Sequence, residues 1–439
     1  MNVTAVEQYR DLIIETQNYI WKNAESGYRE TVTSAYMEKV FEDLGYDLVK
    51  AGDIPGFYTD LDTGRPGPKV LIFGELDALI CPEHPEATER GTVHCCGHSA
   101  QCAALVGIAA ALKQPGALDG LSGSVRLCAV PAEELMEIEY RESLKKQGII
   151  HYYGGKVEFL YRGYFDDCDL VYMLHTAGGT NFSGTLGDVG CISKRVIYKG
   201  VSAHAGGSPH LGVNALYAAN LGLSAVNALR ETFRERDQIR VHPIITQGGG
   251  AVNAIPDCVK VESYVRGASF DAIRHENEKI NRALVGAALS MGANVEIVDD
   301  PGYAPLNNCL PLFDVMQEAV ESLGYTYTYA NGRGTGCTDM GDISCIFPAI
   351  HGYAPGAVGK GHGTDYYIAD PDLACVGSAK VQVKMLELLL KDGAARAKEI
   401  VAGFEPLFAT KEEYFAYVDE IACEGDRIVY SEGKADVRL

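Results

Sequence analysis

The chain has 439 residues, of which 38 are lysine or arginine and 59 are aspartate or glutamate, so its formal net charge is −21. So acidic a surface argues against nucleic acid and anionic membranes as partners, and no apolar run reaches the ~20 residues that a membrane-spanning helix needs. The N-terminus has no pattern of a secretory leader. The 13 cysteines lack the regular spacing of a disulfide scaffold, which indicates reduced thiols and a cytoplasmic protein.

A chain of this length exceeds one ordinary core, so we expect two domains. Residues 5–46 show helical apolar spacing. Residues 100–112 form a predicted helix that is apolar on every face and therefore buried. Apolar runs that alternate with such helices are typical of an α/β domain whose sheet is covered on both faces. The predicted strands of this domain are residues 70–73, 125–130, 170–174 and 345–350.

Residues from about 190 to 303 have a different texture, with the order strand, helix, strand, strand, helix, strand. This order is that of a ferredoxin-like sandwich. The predicted strands are residues 191–199, 239–246, 259–265 and 294–298, and the predicted helices are residues 214–233 and 270–291. We therefore expect a discontinuous catalytic domain, residues 1–189 and 304–439, with a central mostly parallel sheet in an α/β/α arrangement. The inserted α+β domain, residues 190–303, would serve dimerisation or act as a lid.

Cys96, Gly97 and His98 open the predicted buried helix. A thiol and an imidazole at one point are typical ligands of a catalytic divalent metal, and the start of a helix is expected to lower the thiol pKa. A buried cysteine beside a core histidine is the ordinary alternative, but the further ligand candidates downstream favour a metal site. His94 and Cys95 stay open as alternatives, because spacing alone does not separate them from their neighbours.

Glu133 and Glu134 follow the predicted strand 125–130 at its carboxyl end, where open α/β sheets place ligands. One carboxylate can bind metal while the other accepts a proton; a solvated acidic loop is the alternative. His175 ends the strand 170–174 in the same way. Asp77 follows the first strand, where it could orient an imidazole or simply make a turn.

His362 lies in a glycine-rich loop that could approach a site closely, although His351 is a nearby competitor. In the inserted domain, His204 lies among small residues and could donate to a developing oxyanion. Arg266 follows an alternating strand and could bind a carboxylate with both nitrogens; an ordinary surface arginine is an equally good interpretation without further context.

Seven segments in chain order together resemble the aminoacylase/carboxypeptidase family of dinuclear metallopeptidases, in the branch with hippurate hydrolase, indoleacetyl-amino-acid hydrolases and aminobenzoyl-glutamate hydrolase. Their motifs include Asp-Ala-Leu, Cys-Gly-His, Pro-Ala-Glu-Glu and Ala-His-Ala. The segments are residues 21–30, 74–79, 94–98, 131–134, 200–205, 248–256 and 336–342. The chain departs from the family pattern at Glu75, where many members have Asp, at Ser99 and Gln101, where many have Asp and His, and in an insertion at residues 81–92.

The resemblance implies two divalent metal ions per chain, Zn²⁺ or Mn²⁺, with Cys96 bridging. The implied metal ligands are Cys96, His98, Glu134, His175 and His362. It further implies Glu133 as general base with Asp77 as its helper. In a homodimer, His204 would reach the neighbouring subunit's site and bind the scissile carbonyl oxygen. Asn253 and Arg266 would help to hold the substrate carboxylate.

The expected reaction is hydrolysis of the amide bond in an N-acyl or N-aminoacyl amino acid, such as an aminobenzoyl-glutamate-like compound or a dipeptide. One alternative is a non-catalytic or regulatory partner subunit of such a hydrolase. Another is a metal-independent hydrolase with Cys96 as nucleophile and His98 as base. Chelation separates these hypotheses, because it should abolish activity only if a metal is required.

Overall fold

In the computed structural model, which describes residues 3–439, the chain forms two compact units. The first unit contains the residues up to Gly187 together with Leu306–Gly334 and Thr338–Lys411. The second unit contains Asp188–Pro305, Thr335–Cys337 and Glu412–Leu439.

The elements up to Gly187 belong to the first unit. The helices are α1 (Thr4–Gln8), α2 (Arg10–Lys22), α3 (Thr31–Asp43), α4 (His98–Leu112), α5 (Ile138–Lys146) and α6 (Gly155–Tyr161). The strands are β1 (Val49–Lys50), β2 (Phe57–Asp62), β3 (Lys69–Glu75), β4 (Leu79–Ile80), β5 (Thr92–Val93), β6 (Ser124–Val130), β7 (Leu170–Gly178) and β8 (Phe182–Gly187).

The remaining elements alternate between the units. Those of the second unit up to Pro305 are β9 (Gly190–Lys199), α7 (Ala215–Leu229), β10 (Arg240–Val241), β11 (Ile244–Gln247), β12 (Cys258–Gly267), α8 (Phe270–Ser290) and β13 (Asn294–Pro301). The first unit resumes with α9 (Leu310–Ser322), β14 (Tyr327–Arg333), α10 (Met340–Ser344), β15 (Ala349–Val358), β16 (Tyr367–Ile368) and α11 (Ser378–Gly403). The chain ends with α12 (Lys411–Asp419), β17 (Cys423–Asp426), β18 (Ile428–Ser431) and β19 (Lys434–Val437).

The sheet of the first unit is mixed, and its central strands are parallel. In the described part of the chain it has nine strands in the order β1-β2-β6-β3-β7-β15-β8-β14, with β16 paired to β15. Strands β6, β3, β7 and β15 run parallel to one another, so their carboxyl ends meet at one edge of the sheet. Every residue of α4 is buried, as expected for a helix that is apolar on all faces. This arrangement confirms the predicted α/β fold.

The second unit contains a separate antiparallel sheet that is covered by helices α7 and α8. The strand order is β10-β12-β9-β13-β17, and β11 also pairs with β12. Helices α7 and α8 pack on the sheet through a shared core that includes Val196, Ala219, Val261 and Leu284. The strand predicted over residues 239–246 is divided into β10 and β11. The order of elements is otherwise the predicted one.

Three expectations differ from the structure. Residues 5–46 form three helices instead of one, because the Glu25 carboxylate accepts hydrogen bonds from the backbone amides of Val32 and Thr33, both at 2.9 Å, and so starts α3 anew. The strand predicted over residues 345–350 begins only at Ala349, since α10 and a turn occupy the residues before it.

The third difference concerns the C-terminal tail, which the sequence assigns to the catalytic domain. Residues Glu412–Leu439 belong to the second unit, because β17 pairs with β13 and covers the edge of that sheet. Among residues 3–439, no helix is both long and apolar enough to cross a membrane.

Candidate metal centre

The strands of the first unit bring several predicted site residues to one edge of the sheet. Strand β3 ends at Glu75, β7 carries His175, and α4 begins at His98. Gly97 has a φ of +89°, and a Cβ atom at this position would clash with the Tyr366 hydroxyl group. The turn that places Cys96 beside His98 therefore requires glycine.

Cys96 lies at the junction of two groups of possible ligand atoms. Its first group contains His98 and His175, and its second contains Glu134 and His362. Within each group, the ligand atoms lie within 4.8 Å of one another. The Cys96 Sγ atom is 3.3 Å from Nε2 of His175, and Nε2 of His362 is 3.3 Å from Oε1 of Glu134. The structure thus brings together all five side chains that the sequence singled out as ligands, with one thiol common to both groups.

Two of the imidazoles are oriented by backbone carbonyl groups. Nδ1 of His98 donates to the carbonyl oxygen of Asp77 at 2.9 Å, and Nδ1 of His175 donates to that of Thr176, also at 2.9 Å. A carbonyl oxygen can only accept, so Nδ1 carries the proton in each neutral ring and Nε2 offers a lone pair. In both rings this is the nitrogen that faces the other candidate ligands.

Asp77 contacts two of the candidate ligands. Its Oδ1 atom is 3.2 Å from Nδ1 of His98, and its Oδ2 atom accepts a hydrogen bond from the backbone amide of Glu134 at 2.8 Å. A carboxylate that fixes both an imidazole and the backbone of a neighbouring ligand is typical of the outer shell of metal sites.

The donor set fits divalent cations. Nε2 of His98 and Oε1 of Glu134 are buried and, among the described residues, make only ion-pair contacts, the shortest to Glu75 at 3.2 Å and to His362 at 3.3 Å, without a well-formed hydrogen bond, which is costly unless another group satisfies them. Thiol, imidazole and carboxylate together are the ligands of zinc and related metals. The residues at this edge are therefore suited to hold metal ions.

Burial shifts the pKa values of two of the candidate ligands. It raises the pKa of the Cys96 thiol well above its ordinary value, and the charge of Glu134 adds to this effect. The pKa is therefore raised, and not lowered as expected from the start of α4, and burial is the main cause. Burial and the charge of His98 lower the pKa of His175 to about 4, so that its imidazole is neutral near pH 7.

Glu133 lies beside the candidate ligands and is 7% exposed. Its Oε2 atom is 4.0 Å from Nε2 of His98. Burial raises its pKa well above the ordinary value, and the negative charges of Glu75 and Glu134 raise it further. A carboxyl group with a raised pKa at such a position is suited to carry a proton during a reaction.

The structure adds a buried ion cluster that sequence reasoning does not assign. The Lys156 ammonium group hydrogen-bonds carboxylates of both Glu75 and Asp339, and all three side chains are fully buried. Burial raises the pKa of Asp339 to about 6, with the charge of Glu75 adding to the effect against the lysine. In the sequence, Glu75 stands out only as a departure from a motif and Asp339 only as part of residues 336–342, while Lys156 carries no signal.

His362, and not His351, belongs to the groups of ligand atoms found in the described residues. The His362 backbone has a φ of +64° and donates to the carbonyl oxygen of Cys95 at 2.9 Å. The ring of His351 instead packs against His175, with ring centroids 5.3 Å apart. Of the two histidines, His362 therefore lies at the position of a candidate ligand, whereas His351 packs against one.

In the second unit, His204 is held as a hydrogen-bond donor. Its Nδ1 atom accepts hydrogen bonds from the backbone amides of Gly206 at 3.1 Å and Gly207 at 2.8 Å, so the proton of the neutral ring is on Nε2. The backbone amide of Ala205 donates to the carbonyl oxygen of Asn253 at 2.9 Å. Two separate motifs therefore meet at one end of the sheet.

Arg266 lies at the other end of β12. Asn253 precedes the first residue of this strand, Cys258, whereas Arg266 is next to its last residue and pairs with Cys191 of β9. At about 3.3 Å per residue, Arg266 is roughly 25 Å along β12 from Cys258, the end of the strand that Asn253 precedes. A single second unit therefore does not bring Asn253 and Arg266 to the same carboxylate.

Comparison with known proteins identifies relatives across most of the chain. A family model for peptidase family M20/M25/M40 matches residues 71–388. The chain is 27% identical to one of the polypeptides of p-aminobenzoyl-glutamate hydrolase of Escherichia coli K12 over 73% of its length and 64% of the relative's. It is 32% identical to human Xaa-Arg dipeptidase over 60% of its length and 57% of the relative's. It is 30% identical to indole-3-acetyl-aspartic acid hydrolase of Enterobacter agglomerans over 56% and 55% of the two lengths. The chain thus matches less than two thirds of the length of these relatives.

Solved structures show the same fold. A dinuclear metal-binding peptidase of the M20 family from Bacillus subtilis superposes with a TM-score of 0.66 at 19% identity, covering 88% of this chain and 99% of its own. An aminobenzoyl-glutamate utilization protein from Klebsiella pneumoniae superposes with a TM-score of 0.65 at 20% identity, covering 87% and 96%. At this level of identity the likeness concerns the fold alone.

Proposed function

The chain belongs to peptidase family M20/M25/M40, whose members hydrolyse amide and peptide bonds, and from this premise we propose that it cleaves N-acyl or N-aminoacyl amino acids with two divalent metal ions. The observation that carries this proposal is the position of Cys96 in both groups of ligand atoms. The names of three relatives support the substrate class, because p-aminobenzoyl-glutamate, indole-3-acetyl-aspartate and Xaa-Arg dipeptides all join an amide bond to an amino acid with a free carboxylate.

Each ion would be held by one of the groups that share Cys96. The proposed ligands are Cys96, His98, Glu134, His175 and His362. Bound Zn²⁺ or Mn²⁺ supplies a water molecule activated as nucleophile and polarises the substrate carbonyl group. Asp77 keeps His98 and the Glu134 backbone in place through its two carboxylate oxygens.

Glu133 is the proposed general base. It takes the proton of the attacking water and later delivers it to the nitrogen of the leaving amine. Burial and the neighbouring charges of Glu75 and Glu134 raise its pKa, which favours both halves of this transfer. The raised pKa of the buried Cys96 thiol is unfavourable for the alternative in which that cysteine attacks as a thiolate.

The second unit would contribute the oxyanion donor in a homodimer. His204 of the partner subunit would donate from Nε2 to the carbonyl oxygen as negative charge develops there. Asn253, which lies beside His204, and Arg266, at the far end of β12, would each help to bind a substrate carboxylate. Because they lie at opposite ends of the strand, they would do so in different sites. The hydrogen bonds from Gly206 and Gly207 to Nδ1 support the donor role of His204.

Exposed apolar side chains support the proposal that this unit mediates dimerisation. Tyr217 and Leu221 of α7 are 62% and 41% exposed, and Ile244 and Ile245 of β11 are 61% and 40% exposed. Apolar side chains clustered at a surface commonly mark a protein–protein interface, and β11 is an edge strand.

The test is hydrolysis of a substrate panel before and after chelation. The panel contains p-aminobenzoyl-glutamate, indole-3-acetyl-aspartate, alanyl-arginine and an N-acetyl amino acid. We expect hydrolysis of at least one compound, its loss on chelation and its return with Zn²⁺ or Mn²⁺. Activity that survives chelation would instead support the cysteine nucleophile. A metal-loaded protein that cleaves none of these amides would support the non-catalytic partner subunit.

A further inference from the structure

Besides the two groups that share Cys96 and a group of His98, Glu133 and Glu134, the described residues contain a further cluster of ligand-type atoms next to the proposed metal ligands. One carboxylate oxygen each from Glu75, Glu133 and Asp339 lies within 4.8 Å of the others. The ligand atoms of the two groups that share Cys96 lie within the same limit. All three carboxyl groups are buried, with exposed fractions of 0%, 7% and 0%. Buried carboxylates at this spacing repel one another, and a cation among them relieves the repulsion.

Lys156 provides that cation from the first turn of α6. Its Nζ atom hydrogen-bonds Oε1 of Glu75 and, at 2.5 Å, Oδ1 of Asp339. Its backbone amide donates to the other oxygen of Asp339 at 2.8 Å. The side chain is fully buried, so α6 fixes the ammonium group against both carboxylates through main-chain and side-chain contacts.

Glu75 connects this cluster to the proposed metal ligands. Its Oε1 atom binds Lys156, while its Oε2 atom is 3.2 Å from Nε2 of His98. A carboxylate so close to an imidazole ligand could itself bind the metal ion that the imidazole binds, unless another positive charge holds the carboxylate. The lysine is that charge.

We propose that Lys156 is a positioning residue whose ammonium group acts as the fixed cation of the Glu75–Glu133–Asp339 cluster, excludes a divalent ion from it, and so confines divalent ions to the two groups that share Cys96. The proposal rests on the proposed function, since it presupposes two ions bound through Cys96. According to this proposal, Lys156 sets the number of divalent ions that the chain binds, whereas a purely structural lysine would not affect that number.

The experiment counts divalent ions in folded protein. Apoprotein is dialysed against excess Mn²⁺, and bound ions per chain are measured by elemental analysis and by the electron paramagnetic resonance of the free ion. We expect two ions in the wild type and three in Lys156→Met, because the methionine leaves three carboxylates without their cation. Removing one of these carboxylates in Lys156→Met/Glu75→Gln should return the number to two.

A matched control is available in the other unit. Lys194 is 1% exposed and forms an ion pair with the buried Asp299, so Lys194→Met also removes a buried ammonium group, and it should leave two ions bound. If Lys156→Met does not fold, Lys156→Gln serves instead, since its amide still donates hydrogen bonds but carries no charge. Two ions in a folded Lys156 variant would overturn the inference alone, whereas no ion in the wild type would overturn the proposed function itself.

Discussion

Nε2 of His362 lies 3.3 Å from Oε1 of Glu134, so a loop after β15 and a loop after β6 meet at one point of the site. This contact distinguishes His362 from His351, whose ring packs against His175. It leads to a direct comparison of the two histidines.

We expect His362→Asn to weaken the binding of one metal ion by roughly 100-fold or more, since loss even of residues that support ligands costs about 10–100-fold in affinity. His351→Asn should retain both ions with less than a tenfold change. Competition with a fluorescent chelator gives both affinities. Equal effects of the two substitutions would contradict the assignment of His362 as the ligand.

Substitutions of the two adjacent glutamates should have different effects, on kcat for Glu133 and on metal content for Glu134. Glu133→Gln should keep both metal ions and the substrate KM but lower kcat by roughly 10²–10⁴-fold, as expected for loss of a general base. Glu134→Gln should lose one metal ion, because its carboxylate belongs to the group with Cys96 and His362. Steady-state kinetics and elemental analysis of the same samples provide the comparison. A near wild-type kcat for Glu133→Gln would rule out its role as base.

The predicted strands of the first unit are close to the observed ones where an apolar run is continuous. The run 125–130 is β6 with one residue added, because a strand buried on both faces is mostly apolar, and here the one charged residue, Arg126, is paired with Asp60 and Asp167. The first helices are predicted as one segment because apolar positions recur on both sides of residues 23–30, although that stretch is itself polar. The contact of the Glu25 carboxylate with the start of α3 begins a new helix after it.

The sequence predicts those site residues that are close together in the chain or that follow a recognisable strand. Cys96 and His98 are two residues apart, and Glu134 and His175 follow apolar strands whose ends must converge in a parallel sheet. Lys156 could not be found in this way, since its partners Glu75 and Asp339 are distant in sequence and a buried lysine has no local signature. The distance of Arg266 from Asn253 likewise depends on the direction of β12, which no motif specifies.

Complementation tests whether His204 acts on the partner subunit. His204→Ala should lower kcat by roughly 10²–10³-fold, the usual effect of losing an oxyanion donor, and Glu133→Gln should be nearly inactive. A mixed dimer of the two variants should recover activity, because one of its two sites would combine an intact Glu133 with an intact His204. Affinity tags of two kinds allow the mixed dimer to be purified. No recovery in a verified mixed dimer would indicate that His204 acts within its own chain or has no role in catalysis.

The second unit should have an acid-sensitive ion pair. Burial alone would raise the pKa of Asp299, but Lys194 and hydrogen bonds from Asn281 and Asn277 lower it below the ordinary value. Because the unfolded chain binds this proton more readily, the pair stabilises the fold above about pH 4, and that contribution is lost as the pH falls through the lower, folded pKa. Burial outweighs the charge of Asp299 and lowers the pKa of Lys194 below its ordinary value.

We therefore expect Asp299→Asn to lose less free energy of unfolding between pH 5 and pH 3 than the wild type, although it is less stable at pH 7 because Lys194 loses its partner. Urea denaturation followed by circular dichroism gives the free energy at each pH. An unchanged slope in Asp299→Asn would contradict the role of this carboxylate.

The number of metal ions per chain, measured in the wild type and in a pair of cysteine variants, tests the central claim most directly. Cys96 belongs to both groups of ligand atoms, whereas the neighbouring Cys95 is buried outside them. We expect close to two divalent ions per wild-type chain, most of them lost in Cys96→Ala and both retained in Cys95→Ala. Two ions retained in Cys96→Ala, or none in the wild type after incubation with Zn²⁺ or Mn²⁺, would contradict a metal centre built around this thiol.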